Sequence, residues 1–219
     1  MAVIFNGSSG YFNAGNVYNL PNGSATSTIM TWVRRAAVGA RHDLISKEQS
    51  GATGYELSVL SSNLPEWGIF DGSNYRVVAG TTTLSINTTY HLCGTYDGTS
   101  LKVYVNGVLE KTGNYSTGST NSYNLNFGRR PAASNYLNGQ LEDIRMYNRA
   151  LSIDEINTVY YAKGTDNIVN GLILSLPLSC GGAPGTTPGT QIDRTDTKLS
   201  ISASGTLTWA ENIAINKPL

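Results

Sequence analysis

The stretch that most constrains this chain is residues 96–113, YDGTSLKVYVNGVLEKTG. Leu101, Val103 and Val105 alternate with Lys102 and Tyr104, the period of two that marks a half-buried strand. Asn106-Gly107 follows, two residues that tolerate positive φ and suit a tight type I′ turn. Residues 108–112 run back. A two-residue turn sets Val105 opposite Val108 and Tyr104 opposite Leu109. Asp97-Gly98 is an earlier turn signal that feeds this hairpin from a strand at 90–96. Three strands joined by tight turns predict an antiparallel sheet.

The same texture continues along most of the chain. Short extended pieces are expected at 2–5, 10–13, 28–34, 43–47, 54–60, 66–70, 75–79, 84–86, 123–128 and 140–147, separated by loops carrying Gly, Ser, Asn or Asp. This spacing, with almost no helix, predicts an all-β fold, a two-sheet antiparallel β-sandwich of the jelly-roll type. In TIMTWVR, Ile29, Thr31 and Val33 share one face and Met30 and Trp32 the other, so a central strand with Trp32 in the core is expected. One short helix is predicted at 153–161. Ser152 and Glu155 form a capping box there, and Ile153, Ile156 and Val159 or Tyr160 recur at helical spacing.

After Gly164 the character changes. Residues 168–178 are strongly apolar and read as a strand, 180–190 (CGGAPGTTPGT) as loop, and 199–203 and 205–209 as short extended pieces. This tail has too few apolar residues for its own core. The expected division is therefore 1–165, a jelly roll, and 166–219, an extension that supplies a strand to the same sandwich or to a neighbouring subunit.

Lys and Arg number 15 and Asp and Glu 15, so no net field draws nucleic acid or an anionic membrane. Charged residues are only 14%, which leaves a neutral surface rich in hydroxyls and amides, as is common in extracellular and virion proteins. No apolar run reaches the roughly 20 residues of a membrane span, and the first residues do not read as a signal peptide. Cys93 and Cys180 alone make no disulfide framework, and Cys93 is expected to pack as a small core residue.

Residues 139–156, GQLEDIRMYNRALSIDEI, resemble the closing motif of laminin-G-like, concanavalin A-like jelly-roll domains. The segments IMTWVR (29–34), DLISK (43–47) and YHLCGTYDGTSLKVYVNG (90–107) resemble the same family in the same order. The match covers about residues 2–161. It implies the jelly roll and a mostly non-catalytic family whose members bind glycans, proteins or calcium, or serve as modules of larger surface proteins. Family members open with a strand that is missing from the start of this chain, yet NGLILSLPL (170–178) looks like it. The tail thus reads as the opening of a domain placed at the end. It is expected to fold back beside the first strand, to be donated to the next subunit, or to begin a truncated second repeat. A sheet lacking that edge would leave backbone groups unpaired.

A hydrolase of this fold would carry an E-x-D-x-x-E or E-x-D-x-E strand, and none is present. His42 and His91 are the only histidines, and no nucleophile elbow or Cys/His cluster accompanies them. No catalysis is expected. The resemblance implies calcium between the first turn and the closing strand, which here are Asn6 and Glu142 or Asp143. Asn6 stands where the family has Asp, which weakens such a site. The alternative is that Glu142 or Asp143 pairs with Arg145 or Arg149. For glycans, the candidate loop is DGSNYR, with Asp71, Asn74 and Tyr75, joined by Trp67. The expected role is an assembly subunit, a structural or decoration protein of a larger particle such as a phage virion, with other subunits or copies of itself as partners. The alternative is a carbohydrate-binding adhesion module that meets cell-surface glycans, and a glycoside hydrolase is a distant third. Either of the first two places the chain outside the cell or on a virion surface.

Overall fold

The computed structural model describes residues 2–20, 26–48, 53–115, 119–178, 191–192, 195 and 200–210. The strands are β1 (Ala2–Asn6), β2 (Tyr11–Asn13), β3 (Ser27–Arg35), β4 (His42–Ser46), β5 (Thr53–Val59), β6 (Pro65–Asp71), β7 (Tyr75–Ala79) and β8 (Thr89–Tyr96). They continue as β9 (Ser100–Val105), β10 (Val108–Asn114), β11 (Asn126–Phe127) and β12 (Asn138–Tyr147). Helix α1 (Ile153–Ala162) follows, then β13 (Leu172–Leu176), β14 (Gln191–Ile192), β15 (Ser200–Ser204) and β16 (Leu207–Ala210). One sheet has the order β10-β9-β8-β3-β12-β1-β16, with β13 also paired to β12. The second runs β14-β15-β2-β11-β4-β5-β6-β7. The result is an antiparallel two-sheet sandwich.

The hairpin register is the one that turn chemistry dictates. Val108 pairs with Val105 and Leu109 with Tyr104, and Asn106 (φ 53°) and Gly107 (φ 81°) both take positive φ. Two expected strands differ. Residues 84–86 form no strand, because the amide of Leu84 donates to Asn63 O (2.9 Å) while its side chain is buried. Residues 123–128 shrink to β11, since Leu125 instead bonds Gly15 and Ala14 across a loop.

Between the sheets lie Val3, Phe5, Val33, Leu92 and Leu141 from the first, and Phe12, Leu57, Trp67, Ile69 and Phe127 from the second. Trp67 is fully buried and its Nε1 donates to Thr95 O (3.0 Å). The ring lies so close to Gly94 that a Cβ there would come within 2.5 Å of it, so the position admits only glycine.

The outer face of the first sheet is apolar too, and α1 covers it. Ile156 and Val159 of the helix pack with Met30, Cys93, Tyr104 and Tyr147. Trp32 lies on this face, stacked on Tyr160 (5.5 Å between centroids) and tilted against His91 (5.1 Å). Trp32 is therefore buried beneath the helix rather than between the sheets. The alternation of Ile29 and Val33 decides this, since they face the inter-sheet core. The helix starts at Ser152, whose hydroxyl accepts from the Glu155 amide (3.2 Å) while the Glu155 carboxylate accepts from the Ser152 amide (2.9 Å). Cys93 is buried with a free thiol, which burial holds far above the ordinary thiol range.

The tail pairs with strands of its own chain. β1 pairs with residues 138–141 of β12, and β13 takes the adjoining stretch, Ile144 to Tyr147. β16 flanks β1 and β15 flanks β2. Leu174, Leu176, Leu178, Ile201 and Leu207 join the inter-sheet core. Cys180 and the loop expected at 180–190 lie outside the described residues.

Candidate functional site

The outer face of the second sheet differs from that of the first. In β5, Tyr55, Leu57 and Val59 turn inward, which sends Glu56 and Ser58 outward. In β6, Trp67 and Ile69 turn inward and Glu66 and Gly68 outward. Register then sets Ser58 beside both Asp43 and Glu66, and Glu56 beside Ser46 and Gly68. Three strands thereby gather Asp43, Glu56 and Glu66 on one face.

Two arginines from loops roof these carboxylates. Arg41 precedes β4, and its Nε donates to Asp43 Oδ1 (2.9 Å). Its Nη2 donates to Ser58 Oγ (2.8 Å), Glu66 Oε1 (2.7 Å) and Glu56 Oε1. Arg130 follows β11. Its Nε bonds Asp43 Oδ2 (3.0 Å) and lies 3.1 Å from Glu48 Oε2, and its Nη2 bonds Glu56 Oε2 (2.9 Å). Asp43 and Glu56 therefore each bridge both guanidiniums, closing a ring of four groups. Asn135 pins the Arg130 loop to β4, with its Nδ2 donating to Asp43 Oδ2 (3.1 Å) and its carbonyl accepting from the Asp43 amide (3.0 Å). The Tyr75 hydroxyl lies 2.7 Å from Glu56 Oε1 and 3.0 Å from Glu66 Oε1, and its ring packs edge-on against Phe70.

Burial sets the electrostatics. The side chains of Asp43, Glu48 and Glu56 have no exposed surface and Glu66 has 6%, whereas Arg41 keeps 20% and Arg130 17%. Burial, reinforced by Asp43, pushes the Glu56 carboxyl up to about 8, against the pull of Arg41 and Arg130. For Arg41, burial opposes the charge, but Glu56, Asp43 and Glu66 outweigh it and hold the guanidinium protonated more firmly than usual. Arg130 is shifted the same way by Glu56, Asp43 and Glu48. The two roof residues are permanent donors locked in one geometry. Among the described residues, neither Nη1 group has a hydrogen-bond partner.

The residues expected from sequence fall in several places. Tyr75 is at this site and 42% exposed, and Asn74 is exposed beside it. Asp71 ends β6, and its side chain lies outside the described set. Trp67 is a correction: it is sealed between the sheets, because the alternation that turns Glu66 outward turns Trp67 inward, so it offers no face to a sugar.

The three residues expected to hold calcium are not brought together. Asn6 Oδ1 accepts from the amides of Ser8 (3.1 Å), Ser9 (3.0 Å) and Gly10 (3.0 Å), which closes the first turn. Asn6 pairs with Asn138, so Glu142 is four residues further along β12, roughly 13 Å away at about 3.3 Å per residue. Asp143 sits in a bulge with φ 50° and pairs with Arg145 (2.8 Å). Among the described residues no cluster of three or more His, Cys, Asp or Glu is set to hold a metal. A separate cavity of about 180 Å³, lined in part by Ile4, Arg34, Gly139 and Gln140, lies on the first sheet.

Sequence reasoning missed Arg41, Asp43, Glu56, Glu66 and Arg130. The alternation in GYELSVL and EWGIF already turned Glu56 and Glu66 away from the core. What it lacked was the pairing of β4, β5 and β6 and the path of the loops that return the arginines.

Among solved structures, a Bacteroides ovatus protein with a provisional carbohydrate-binding assignment aligns over 96% of this chain and 61% of its own, at 16% identity and TM-score 0.71. The carbohydrate-binding module of a Ruminococcus gnavus sialidase, bound to α2,3-sialyllactose, aligns over 62% of this chain and 83% of its own, at 15% identity and TM-score 0.54. Domains LG4-5 of the mouse laminin α1 chain align over 83% of this chain and 47% of theirs, at 14% identity and TM-score 0.57. This chain thus spans less than two thirds of the Bacteroides protein and about half of the laminin fragment. At such identities the likeness is one of fold. No curated protein matches the chain in sequence. Among the described residues no helix is long and apolar enough to cross a membrane. The Laminin_G_3 family model matches residues 6–157, and the chain belongs to that family of the concanavalin A-like lectin/glucanases superfamily.

Proposed function

We propose that this domain is a non-catalytic carbohydrate-binding module, working outside the cell or at a surface, with its ligand on the outer face of the second sheet over Arg41, Arg130, Glu66 and Tyr75. The observation that carries the reading is the preorganised roof. Two guanidiniums are fixed by buried carboxylates, each with an outer nitrogen that bonds no described residue, beside a tyrosine ring that is 42% exposed. Sugar recognition needs that combination, planar donors held rigid for hydroxyls and an aromatic surface for the ring. The Bacteroides protein and the sialidase module, both assigned to carbohydrates, support it at the level of fold.

Burial argues against hydrolysis. Glu56 is wholly buried under Arg41, Arg130 and Tyr75, which leaves only the slightly open Glu66 and not the two accessible carboxylates that hydrolysis requires. The assembly role, which sequence alone favoured, draws no support from these relatives, and the order of the two expectations is reversed. Glycan-array binding by the wild type, lost by more than about tenfold in Tyr75→Ala, is the expected result. Full binding by that variant would remove the site from this face, and absence of any bound glycan would remove the function.

A further inference from the structure

We infer, resting on the carbohydrate reading above, that the site takes uncharged, hydroxyl-rich sugars and discriminates against glycans carrying carboxylate, sulfate or phosphate. The reason is the charge beneath the roof. Four carboxylates (Asp43, Glu48, Glu56 and Glu66) are in contact with two guanidiniums (Arg41 and Arg130). Among these six described groups, even with a proton retained on Glu56, negative charge is in excess. The carboxylates are desolvated, so water screens them poorly.

An anionic sugar meeting the two outer Nη1 groups gains donors that are already balanced from below, while it sits over a bed of its own sign. It also gives up its hydration to do so. A neutral hydroxyl accepts from the same N–H groups with no such repulsion. Its own proton can go to the slightly open carboxylate of Glu66, and the sugar ring can lie on Tyr75. A cationic sugar is no better placed. The atoms it would touch first are guanidiniums, since Asp43, Glu48 and Glu56 have no exposed side-chain surface. The arginines are thus neutralised donors rather than an anion trap.

The test uses the full chain and matched glycan pairs, each neutral oligosaccharide set beside the same oligosaccharide capped with sialic acid or sulfated, measured by calorimetry at low and at moderate salt. The neutral member is expected to bind, and the acidic cap to weaken binding by about tenfold or more. Added salt should narrow that ratio only slightly, because buried charges are screened far less than exposed ones. Glu48→Gln removes one buried negative charge while leaving an amide oxygen that can face Arg130 Nε, and should also narrow the ratio. Equal or tighter binding of the acidic members would overturn the charge inference while leaving the carbohydrate reading in place. That outcome needs no variant to fold. Failure of every glycan, neutral and acidic, would instead end the carbohydrate reading itself.

Discussion

On the outer face of the first sheet, α1 lies over Met30, Cys93, Tyr104 and Tyr147, and Tyr160 closes on Trp32. On the outer face of the second, the central positions are Asp43, Glu56, Ser58 and Glu66, and their cover is two arginine side chains and a tyrosine. Both faces are buried, by different means. Apolar side chains leave water without needing a particular partner, and a helix that brings its own apolar stripe suffices. Carboxylates leave water only if each finds a donor, so their cover must be charged and placed to within hydrogen-bond distance. A guanidinium can do this with its Nε and one Nη and still have a nitrogen facing outward. The covered apolar face therefore offers a ligand no polar group, whereas the covered charged face keeps a donor nitrogen on each arginine, where the proposed ligand would sit.

The largest effects should come from removing a cover or what it covers. Trp32→Ala empties the pocket under α1 and should cost about 3–5 kcal/mol in urea unfolding, while glycan binding on the opposite face persists. Loss of binding in that variant, if it remains folded, would show that the two faces are coupled. Arg130→Met leaves Asp43, Glu48 and Glu56 one guanidinium short. It should cost about 3 kcal/mol and abolish binding as well, a joint loss that the first face cannot produce. A variant as stable as the wild type would mean that the roof is ornamental to the fold.

Smaller effects sharpen the contrast. Glu56→Gln should cost no more than about 1 kcal/mol at neutral pH, because the carboxyl already favours its protonated form. The pH dependence has a definite sign. Glu56 titrates near 8 in the folded chain and near 4.5 when unfolded, so its contribution is full below pH 4.5 and fades as pH rises toward 8. His42, lowered to about 4 chiefly by burial and next by Arg35, acts in the opposite sense, its contribution fading as pH falls from 6.5 to 4. Unfolding free energies between pH 6.5 and 8 should therefore decline in the wild type, and the decline should be shallower in Glu56→Gln. An identical slope in both would place the titrating group elsewhere. Smallest of all, Ser152→Ala removes the cap of α1 and should cost about 1 kcal/mol in thermal unfolding without touching the second sheet.

The sequence alone determined the parts whose physics is local. Alternation and Asn106-Gly107 set the hairpin and its register, Ser152 and Glu155 set the start of α1, and the apolar run containing Leu174 and Leu176 had to be buried somewhere. Each depends on residues a few positions apart, where chain geometry leaves few choices. Tertiary structure decided what depends on distant residues meeting. It sent Trp32 under a helix, sealed Trp67 beside Gly94, and kept Asn6 far from Glu142. It also joined Arg41, Asp43, Glu56, Glu66 and Arg130, drawn from three strands and two loops, into one charged face. Alternation says only that a carboxylate points away from the core. Which cation it meets there depends on strand order and loop path, and those are settled when the whole sandwich closes.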